Sequence, residues 1–332
     1  MQFGLFGSAQ AHRGANDPGA GFRDYVDYNV EAEALGFHAS FLVEHHFTGI
    51  GQVSAPLQLL ASVAARTTRL RLGTAVIVLP WHNPVLLAEA AATLDLMSGG
   101  RLDLGIGKGY RHSEFHGFAA SIDEAEERFD EGLDLLVRAW TSDTRFSHRG
   151  RFWRFDDIVV EPPPLQKPHP PLWMAAGSEA SIARVAARGA NLLLDQFASV
   201  AAVAARIALF RQAVEASGRR FDPAMVAVAR NVQIAHDAAE KVAALDHARR
   251  QHERMIALSQ DPARRTRSHI LSYADAPGAS EAAALYGSAD EVAAGIAALA
   301  AAGATTVLVN TGGTAREQLR RFAREVMAEF AT

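Results

Sequence analysis

Residues 70–80 read LRLGTAVIVLP, an apolar run of strand length that ends at a proline. Seven similar runs occur along the chain, and longer alanine-rich stretches with helical spacing separate them. This alternation is typical of strand and helix units arranged around a parallel sheet. The eight runs cover residues 3–6, 39–43, 70–78, 102–106, 172–176, 191–194, 225–229 and 305–309. Because eight parallel strands close a barrel, the sequence predicts an α/β protein with a (β/α)8 TIM-type barrel.

Two stretches interrupt the alternation of strands and helices. Residues 145–171 contain HRGRFWRFDD and EPPPLQKPHPP, which hold too many prolines for a helix and predict a small hairpin with an extended lead into the fifth strand. Residues 237–286 contain a polar helix and a loop that is much longer than an ordinary connection. We find no linker or internal repeat, so we predict one barrel domain over residues 1–332, with insertions after strands four and seven.

The composition limits the classes of protein that this chain can be. Hydrophobic residues make up 49% of it and charged residues 21%, which is typical of a globular protein with a full core. Lys and Arg number 33 against 37 Asp and Glu, without a long basic run, so we expect no nucleic-acid partner. No segment approaches the roughly 18 apolar residues of a membrane helix, and the N-terminus lacks a basic signal region. We therefore expect a cytoplasmic enzyme without a membrane partner.

The chain contains no cysteine. This excludes disulfides, thiolate nucleophiles, iron–sulfur clusters and cysteine-based zinc sites. The segment HSEFH at residues 112–116 invites a second metal hypothesis, but its order differs from the H-E-x-x-H pattern of zinc proteases. We therefore predict no metal site.

Polar residues at the C-terminal ends of barrel strands are the natural candidates for chemistry. His45 follows the second strand beside Glu44, and an imidazole next to a carboxylate can move protons near neutral pH. The alternative is that His45 or His46 forms only a structural hydrogen bond to a neighbouring loop. Position in the sequence does not separate these two interpretations.

Two further segments are candidates for binding an anion. Lys108 lies between glycines, which let a backbone approach an anion while the ammonium group supplies charge. Gly177, Ser178 and Ser181 lie where the fifth strand gives way to a helix, and free N–H groups at a helix start suit a phosphate. The alternatives are a solvated surface lysine and an ordinary serine N-cap.

Taken together, the motifs resemble those of the bacterial luciferase-like family of flavin-dependent monooxygenases. The resemblance extends over nearly the whole chain in the family's order and spacing. It is carried by LVEHHFT at 42–48, GTAVIVLP at 73–80, DLMSGGR at 95–101, GIGKGY at 105–110 and GSADEV at 287–292.

The resemblance implies that FMN lies across the barrel mouth. In such proteins Ala75 and Val76 line the flavin ring, and the peptide bond between them can be a non-proline cis peptide. His45 matches the histidine that the family uses near the reacting flavin oxygen adduct, and Glu44 matches its flavin-side neighbour, so both are catalytic candidates. The remaining cofactor-binding candidates are Lys108, Tyr110, Gly177, Ser178 and Ser181.

Two features depart from the family pattern. The luciferase subunit carries a reactive cysteine before a phosphate-binding arginine, whereas this chain has Gly107 and Lys108. A lysine keeps the charge but loses the bidentate geometry of a guanidinium group. Gly177 also replaces a glutamate, which leaves the backbone N–H and Ser178 to serve the phosphate. We therefore expect a relative of luciferase that does not emit light.

The resemblance implies a reaction in which reduced FMN, supplied by a separate flavin reductase, and oxygen form a flavin peroxide that oxidises a small, apolar organic substrate. Family members commonly dimerise through helices near the second and third strands, so we expect a homodimer. Three alternatives stay open. They are a deazaflavin-dependent oxidoreductase that transfers hydride, a non-catalytic flavin-binding relative, and an unrelated barrel enzyme that acts on a phosphorylated metabolite.

Overall fold

The strands follow one another around a closed parallel barrel. The computed structural model describes residues 1–11, 16–259 and 278–330. The strands in these residues are, in chain order, β1 (Gln2–Gly7), β2 (Ala39–Leu42), β3 (Arg71–Thr74), β4 (Ile77–Val78), β5 (Leu102–Gly107), β6 (Phe146–Arg149), β7 (Arg154–Ile158), β8 (Leu172–Ala175), β9 (Asn191–Leu194), β10 (Val226–Ile234), β11 (Leu285–Gly287) and β12 (Thr306–Asn310).

Eight of these strands form the barrel. The parallel order is β1, β2, β3, β5, β8, β9, β10 and β12, and the pairing of β12 with β1 closes the ring. Each barrel strand overlaps one of the eight apolar runs in the sequence, so the predicted TIM-type barrel is confirmed. The run at 70–78 is divided, because Ala75 and Val76 separate β3 from β4.

Helices return the chain from the end of each barrel strand to the start of the next. They are α1 (Ala20–Ala34), α2 (Pro56–Ala64), α3 (Pro84–Met97), α4 (His112–Gly117), α5 (Ala125–Thr141), α6 (Glu179–Ala187), α7 (Val200–Ala216), α8 (Ala238–Ser259), α9 (Ala279–Ala283), α10 (Ala289–Ala301) and α11 (Arg316–Glu325). The local sequence explains why several of these helices begin or end where they do. Asn83 accepts hydrogen bonds from the first turn of α3 with Pro84 at the first position, and Gly36 takes a left-handed φ of 94° after α1. None of the described helices is long and apolar enough to cross a membrane.

The core has two layers. The larger layer lies between the helices and the outside of the barrel. The smaller layer fills the barrel interior, and its buried members are Ala39, Phe41, Trp173, Leu193, Ala227 and Leu308. Gly73 makes room for Phe41, because a Cβ atom at Gly73 would lie 2.5 Å from that ring. The interior is thus packed with side chains, which leaves the C-terminal mouth of the barrel as the place for a ligand.

The two irregular stretches of the sequence differ in how far the structure describes them. The hairpin predicted within 145–171 is present as the antiparallel pair β6 and β7. Glu131 of α5 anchors it by accepting hydrogen bonds from His148 and from the backbone N–H groups of Phe152 and Trp153. In the second stretch, residues 260–277 lie outside the described residues. The strand β11, which sequence patterns did not predict, pairs with the end of β10.

Candidate active site

The floor of the barrel mouth is formed by Ala75 and Val76, whose peptide bond is cis. Both residues are half-buried and pack on the apolar cluster inside the barrel. Gly107 provides the space for this arrangement, since a Cβ atom there would lie 2.6 Å from Cγ2 of Val76. Gly107 is therefore matched to the valine that faces it.

Trp173 lies in the barrel interior next to this floor. The indole ring is buried and packs edge-on against Phe41, with ring centroids 5.6 Å apart. Within the described residues, the indole Nε1–H has no hydrogen-bond acceptor. A buried N–H without a partner is costly, so this donor is suited to an acceptor on a bound ligand or to a water molecule.

Glu44 is a buried anchor for the rim of the barrel. It is 1% exposed, and its Oε1 atom lies 2.6 Å from Nε2 of His46, 2.8 Å from Nε2 of His82 and 3.2 Å from Nε1 of Trp81. Its Oε2 atom accepts the backbone N–H of Val78 at 2.9 Å. Burial alone would raise the pKa of Glu44, but the hydrogen bonds from His46 and His82 outweigh it and hold the pKa at about 2. Glu44 is therefore an ionised acceptor at neutral pH.

The structure pairs His45 with a residue that the sequence did not single out. Nδ1 of His45 lies 3.1 Å from Oε1 of Glu114, and the same oxygen accepts the backbone N–H of His46 at 2.9 Å. Burial lowers the pKa of His45, and the nearby guanidinium of Arg111 lowers it further, while the hydrogen bond to Glu114 opposes them. His45 is thus neutral at neutral pH.

Glu114 and Arg111 lie at the start of α4. Glu114 is 2% exposed and Arg111 is 4% exposed, and Nη1 of Arg111 lies 3.6 Å from Oε1 of Glu114. Within the described part of the chain, Nε and Nη1 of Arg111 have no hydrogen-bond acceptor. The signal that could have revealed Glu114 is its place in the segment HSEFH, where the two histidines drew attention instead. The described residues contain no group of three or more side chains arranged to hold a metal ion.

Aromatic rings form a wall beside His46. The ring of His46 lies 4.7 Å from that of Phe118, which stacks on Trp81 at 5.2 Å. Phe47 lies 4.9 Å from Phe118 and is 58% exposed. Phe115 contacts Trp81 from beneath, at 5.0 Å. These rings, which we call the aromatic wall, offer an apolar surface to a ligand.

Two of the predicted anion-binding residues, Ser178 and Ser181, lie at the start of α6. Ser178 and Ser181 form a reciprocal capping box, so the N-cap interpretation of these serines is confirmed. Nζ of Lys108 lies 3.6 Å from Oε2 of Glu126, and Glu126 also pairs with Arg184 of α6. Glu126 therefore links Lys108 to the last turn of the helix that Ser178 begins.

Sequence reasoning missed one further cation at this end of the site. Arg206 of α7 lies against Gly177, since a Cβ atom at Gly177 would be 3.3 Å from Nη2 of Arg206. Arg206 is mostly buried and forms an ion pair with Asp195 at 3.2 Å. The guanidinium group of Arg111 lies over the ring of Tyr110, 5.7 Å from its centre.

The residues at the mouth form two chemically distinct ends. The apolar floor with the indole N–H of Trp173 suits a planar ring that carries acceptors. The end with Lys108, Arg206 and the N-terminus of α6 suits a terminal anion. This donor set fits an amphiphilic cofactor such as FMN, which has a flat ring at one end and a phosphate at the other.

Comparison with known proteins identifies the family. Residues 1–306 match the family described as luciferase-like monooxygenase. An uncharacterized protein of Sinorhizobium fredii, y4vJ, is 33% identical over 262 residues, which are 78% of this chain and 74% of that protein. The oxygenase component of the flavin-dependent trigonelline monooxygenase of Acinetobacter baylyi is 36% identical over 147 residues, which are 44% of this chain and 40% of that protein.

Solved structures share the fold over the full chain. The monooxygenase RslO1 from Streptomyces bottropensis superposes over 100% of both chains, with a TM-score of 0.85 and 29% sequence identity. An F420-dependent secondary alcohol dehydrogenase superposes over 98% of both chains, with a TM-score of 0.78 and 16% identity. The second likeness shows the shared fold alone.

Proposed function

The chain belongs to the luciferase-like monooxygenase family, and from this premise we propose that it is an oxygenase that uses reduced FMN and oxygen to oxidise a small organic substrate. The observation that carries the choice of cofactor is the pairing of an apolar floor with a cationic end at the same barrel mouth. A relative named as an oxygenase component supports a second part of the proposal, that a separate flavin reductase supplies the reduced FMN.

The residues of the floor and of the anion end hold the cofactor in this proposal. Ala75 and Val76 support the flavin ring from below, and Lys108 and Ser178 bind the phosphate together with the backbone at Gly177. The capping box engages the hydroxyl of Ser178 and the backbone N–H groups of Ser178 and Ser181, so the N–H groups of Glu179 and Ala180 carry the phosphate contact from this helix. Bound reduced flavin would supply the two electrons with which oxygen is activated and one oxygen atom is transferred to the substrate.

The residues of the rim act on the substrate side. His45 moves a proton at its Nε2 atom, because Nδ1 is occupied by Glu114. Glu44 has no hydrogen bond to the ring of His45, and we assign it as a positioning residue that fixes His46 and His82. The aromatic wall excludes water from the mouth and contacts the apolar part of the substrate.

Assembly is a separate part of the proposal. Leu86 and Met97 of α3 are exposed and lie about three helical turns apart on one face of the helix. Exposed apolar side chains on a helix favour burial against a partner, and a second copy of the chain provides the same face. We expect a homodimer through α3. Light scattering of wild type and of Leu86→Glu tests this, and a monomeric wild type contradicts it.

Anaerobic titration with reduced FMN, and in parallel with reduced F420, tests the choice of cofactor. The protein is then mixed with oxygen while the absorbance spectrum is followed, for wild type and for His45→Ala. We expect saturable binding of reduced FMN and a transient absorbing species whose decay changes in the variant. Binding of F420 without binding of FMN would overturn the proposal in favour of a hydride-transferring oxidoreductase.

A further inference from the structure

We propose that Asn231 and Asn310 form a polar anchor for the substrate, in which the side-chain amide of Asn231 donates a hydrogen bond to a carbonyl oxygen of a neutral organic compound. This inference rests on the proposed function, in which the barrel mouth takes an organic substrate, and it names the class of that substrate. Three observations carry it. They are the inward direction of both side chains, the hydrogen bonds that orient the two amides, and the apolar character of the neighbouring strand ends.

Both asparagines point into the barrel at its C-terminal mouth. Successive side chains of a strand alternate between its two faces. Ala227 of β10 belongs to the cluster inside the barrel, so Asn231, four positions later, points inward as well. Leu308 of β12 belongs to the same cluster, so Asn310, two positions later, also points inward. The register of β10 and β12 pairs the two asparagines, and both are half-buried.

A backbone N–H group fixes the orientation of both amides. The N–H of Gly312 can only donate, so the atom of Asn310 that lies 3.0 Å from it is the carbonyl oxygen Oδ1. The other end of the same amide, Nδ2, donates to Oδ1 of Asn231 at 3.1 Å. Asn231 therefore keeps its Nδ2 atom, which carries two N–H groups, for another partner.

Nδ2 of Asn231 is a donor that a ligand can reach. Among the residues that the structure describes, no group accepts a hydrogen bond from this atom, and it is not enclosed by the protein. A molecule that covers the donor must bring an acceptor, because a buried N–H without one costs free energy. The amide carries no charge, so it can replace the water on a carbonyl oxygen but does not compensate for the lost hydration of a carboxylate.

Most of the other inward-facing strand ends are apolar or lack a side chain. Phe6 of β1 lies beside Asn310, since the residues before them, Leu5 and Val309, are paired in register. The half-buried ring of Phe6 packs on the cluster inside the barrel. Further inward-facing residues at this end are Ala75, Gly107 and Ala175. A ligand in the mouth thus meets carbon on most sides and an amide on one, which suits an apolar ketone or quinone.

A fluorescent ketone tests this assignment in the absence of flavin. The probe is prodan, a naphthalene whose emission moves to longer wavelength when its carbonyl oxygen accepts a hydrogen bond. The matched probe is 2-(dimethylamino)-6-propylnaphthalene, in which a methylene group replaces the carbonyl. We expect the preference of wild type for prodan over the matched probe to fall about fivefold in Asn231→Asp, the scale of one hydrogen bond. The emission of bound prodan should move to shorter wavelength in the same variant.

Two further variants of the chain separate a lost donor from other effects. Asn231→Asp keeps the acceptor for Asn310 and removes only the N–H groups, whereas Asn231→Leu removes them without adding a charge, so both should lose the preference for prodan. Asn191→Asp is the matched control. Asn191 of β9 is half-buried and, by alternation with Leu193, points inward at the opposite end of the barrel. This control should bind both probes as wild type does.

Asn310→Asp tests the orienting role of Asn310 while Asn231 stays intact. The new carboxylate has no N–H to donate, so the amide of Asn231 should turn, donate from Nδ2 to the carboxylate and present Oδ1 to the mouth. NMR of protein that contains nitrogen-labelled asparagine measures this, because the chain has only six asparagines. We expect the side-chain N–H signal of Asn231 to move downfield without any ligand, and the preference for prodan to be lost.

The outcomes separate this inference from the proposed function. No binding of prodan, or the same preference for it in wild type and both variants of Asn231, overturns the anchor. Stronger displacement of prodan by 2-naphthoate than by 2-acetylnaphthalene overturns the neutral carbonyl class. An unmoved signal of Asn231 in Asn310→Asp overturns the role of Asn310. Titration with reduced FMN reports on the cofactor, so a failure there counts against the proposed function and leaves the probe results standing.

Discussion

The ammonium group of Lys108 lies 3.6 Å from a carboxylate oxygen of Glu126, so the cation expected to bind a phosphate is already paired. Glu126 also pairs with Arg184, which lies in the last turn of the helix that Ser178 caps. A phosphate that binds Lys108 must therefore compete with Glu126 for this cation. The competition is modest, because the side chains of Lys108 and Glu126 are about half exposed and water screens their attraction.

Removal of this carboxylate should strengthen FMN binding. In Glu126→Gln we expect the dissociation constant for FMN to fall about threefold, the range of an exposed ion pair. Riboflavin lacks the phosphate and should bind equally to both proteins. Glu127→Gln is the matched control, since Glu127 pairs with Arg151. Fluorescence titrations check the result, and weaker FMN binding in Glu126→Gln contradicts it.

Loss of the buried carboxylate at Glu44 should destabilise the protein. Glu44→Gln leaves the N–H groups of His46, His82, Trp81 and Val78 with one acceptor oxygen instead of two. We expect the free energy of unfolding to fall by about 2 kcal/mol, as for buried groups that lose a partner. Urea unfolding at neutral pH measures this. Glu131→Gln, whose carboxylate is more exposed, should lose less.

The same carboxylate should contribute to stability in a defined pH range. Its pKa in the folded state is about 2, below the ordinary value of 4.5, so ionisation favours the folded protein. This contribution is complete above 4.5 and is lost as the pH falls toward 2. Wild type should therefore lose more stability than Glu44→Gln over this range. Equal losses in the two proteins would show that folding does not lower the pKa of Glu44.

Two neighbours should shift the pKa of His45 in opposite directions. Arg111→Gln removes a positive charge that lowers this pKa, so the pKa should rise. Glu114→Gln removes a hydrogen bond and a negative charge that raise it, so the pKa should fall further. A proton NMR titration of His45, assigned with His45→Ala, measures both shifts. Since the neutral form is the proton acceptor, activity should be lost on acidification at a higher pH in Arg111→Gln than in wild type.

A methyl group at Gly107 should disturb the floor of the mouth. In Gly107→Ala the new Cβ atom would lie 2.6 Å from Cγ2 of Val76, and we expect a loss of about 1–3 kcal/mol, as in overpacked cores. Val76→Ala in the same protein should recover most of it. Gly7→Ala is the control, because a Cβ atom at Gly7 would meet no other atom within 4 Å. Thermal unfolding compares the four proteins.

The barrel was predictable from the sequence because its signal is repeated. Each strand is an apolar run that lies between stretches with the residue spacing of a helix. Eight such runs are compatible with few folds other than a barrel. The strand Leu285–Gly287 was missed, because it is short and follows a long stretch without regular pattern. Its pairing with the end of β10 is a tertiary contact that no local sequence pattern predicts.

The candidate site was predictable in part. His45 was found because it ends a strand, but its neighbour Glu44 in the sequence does not hydrogen-bond to its ring. Successive residues at a strand end point in different directions. The partner of His45 is Glu114, 69 positions away, and only the docking of α4 on the loop after β2 brings them together. Arg206 was missed for the same reason.

The four donors that meet at Glu44 come from two separate segments, the loop after β2 and the chain from Val78 to His82. This one carboxylate therefore fixes the distance between two loops. Without it, the lengths of the two loops could change independently during evolution. A residue inserted into either segment would carry its donors away from the shared oxygen atoms. We therefore expect relatives of this chain to vary less in the length of these two segments than in loops that share no common acceptor.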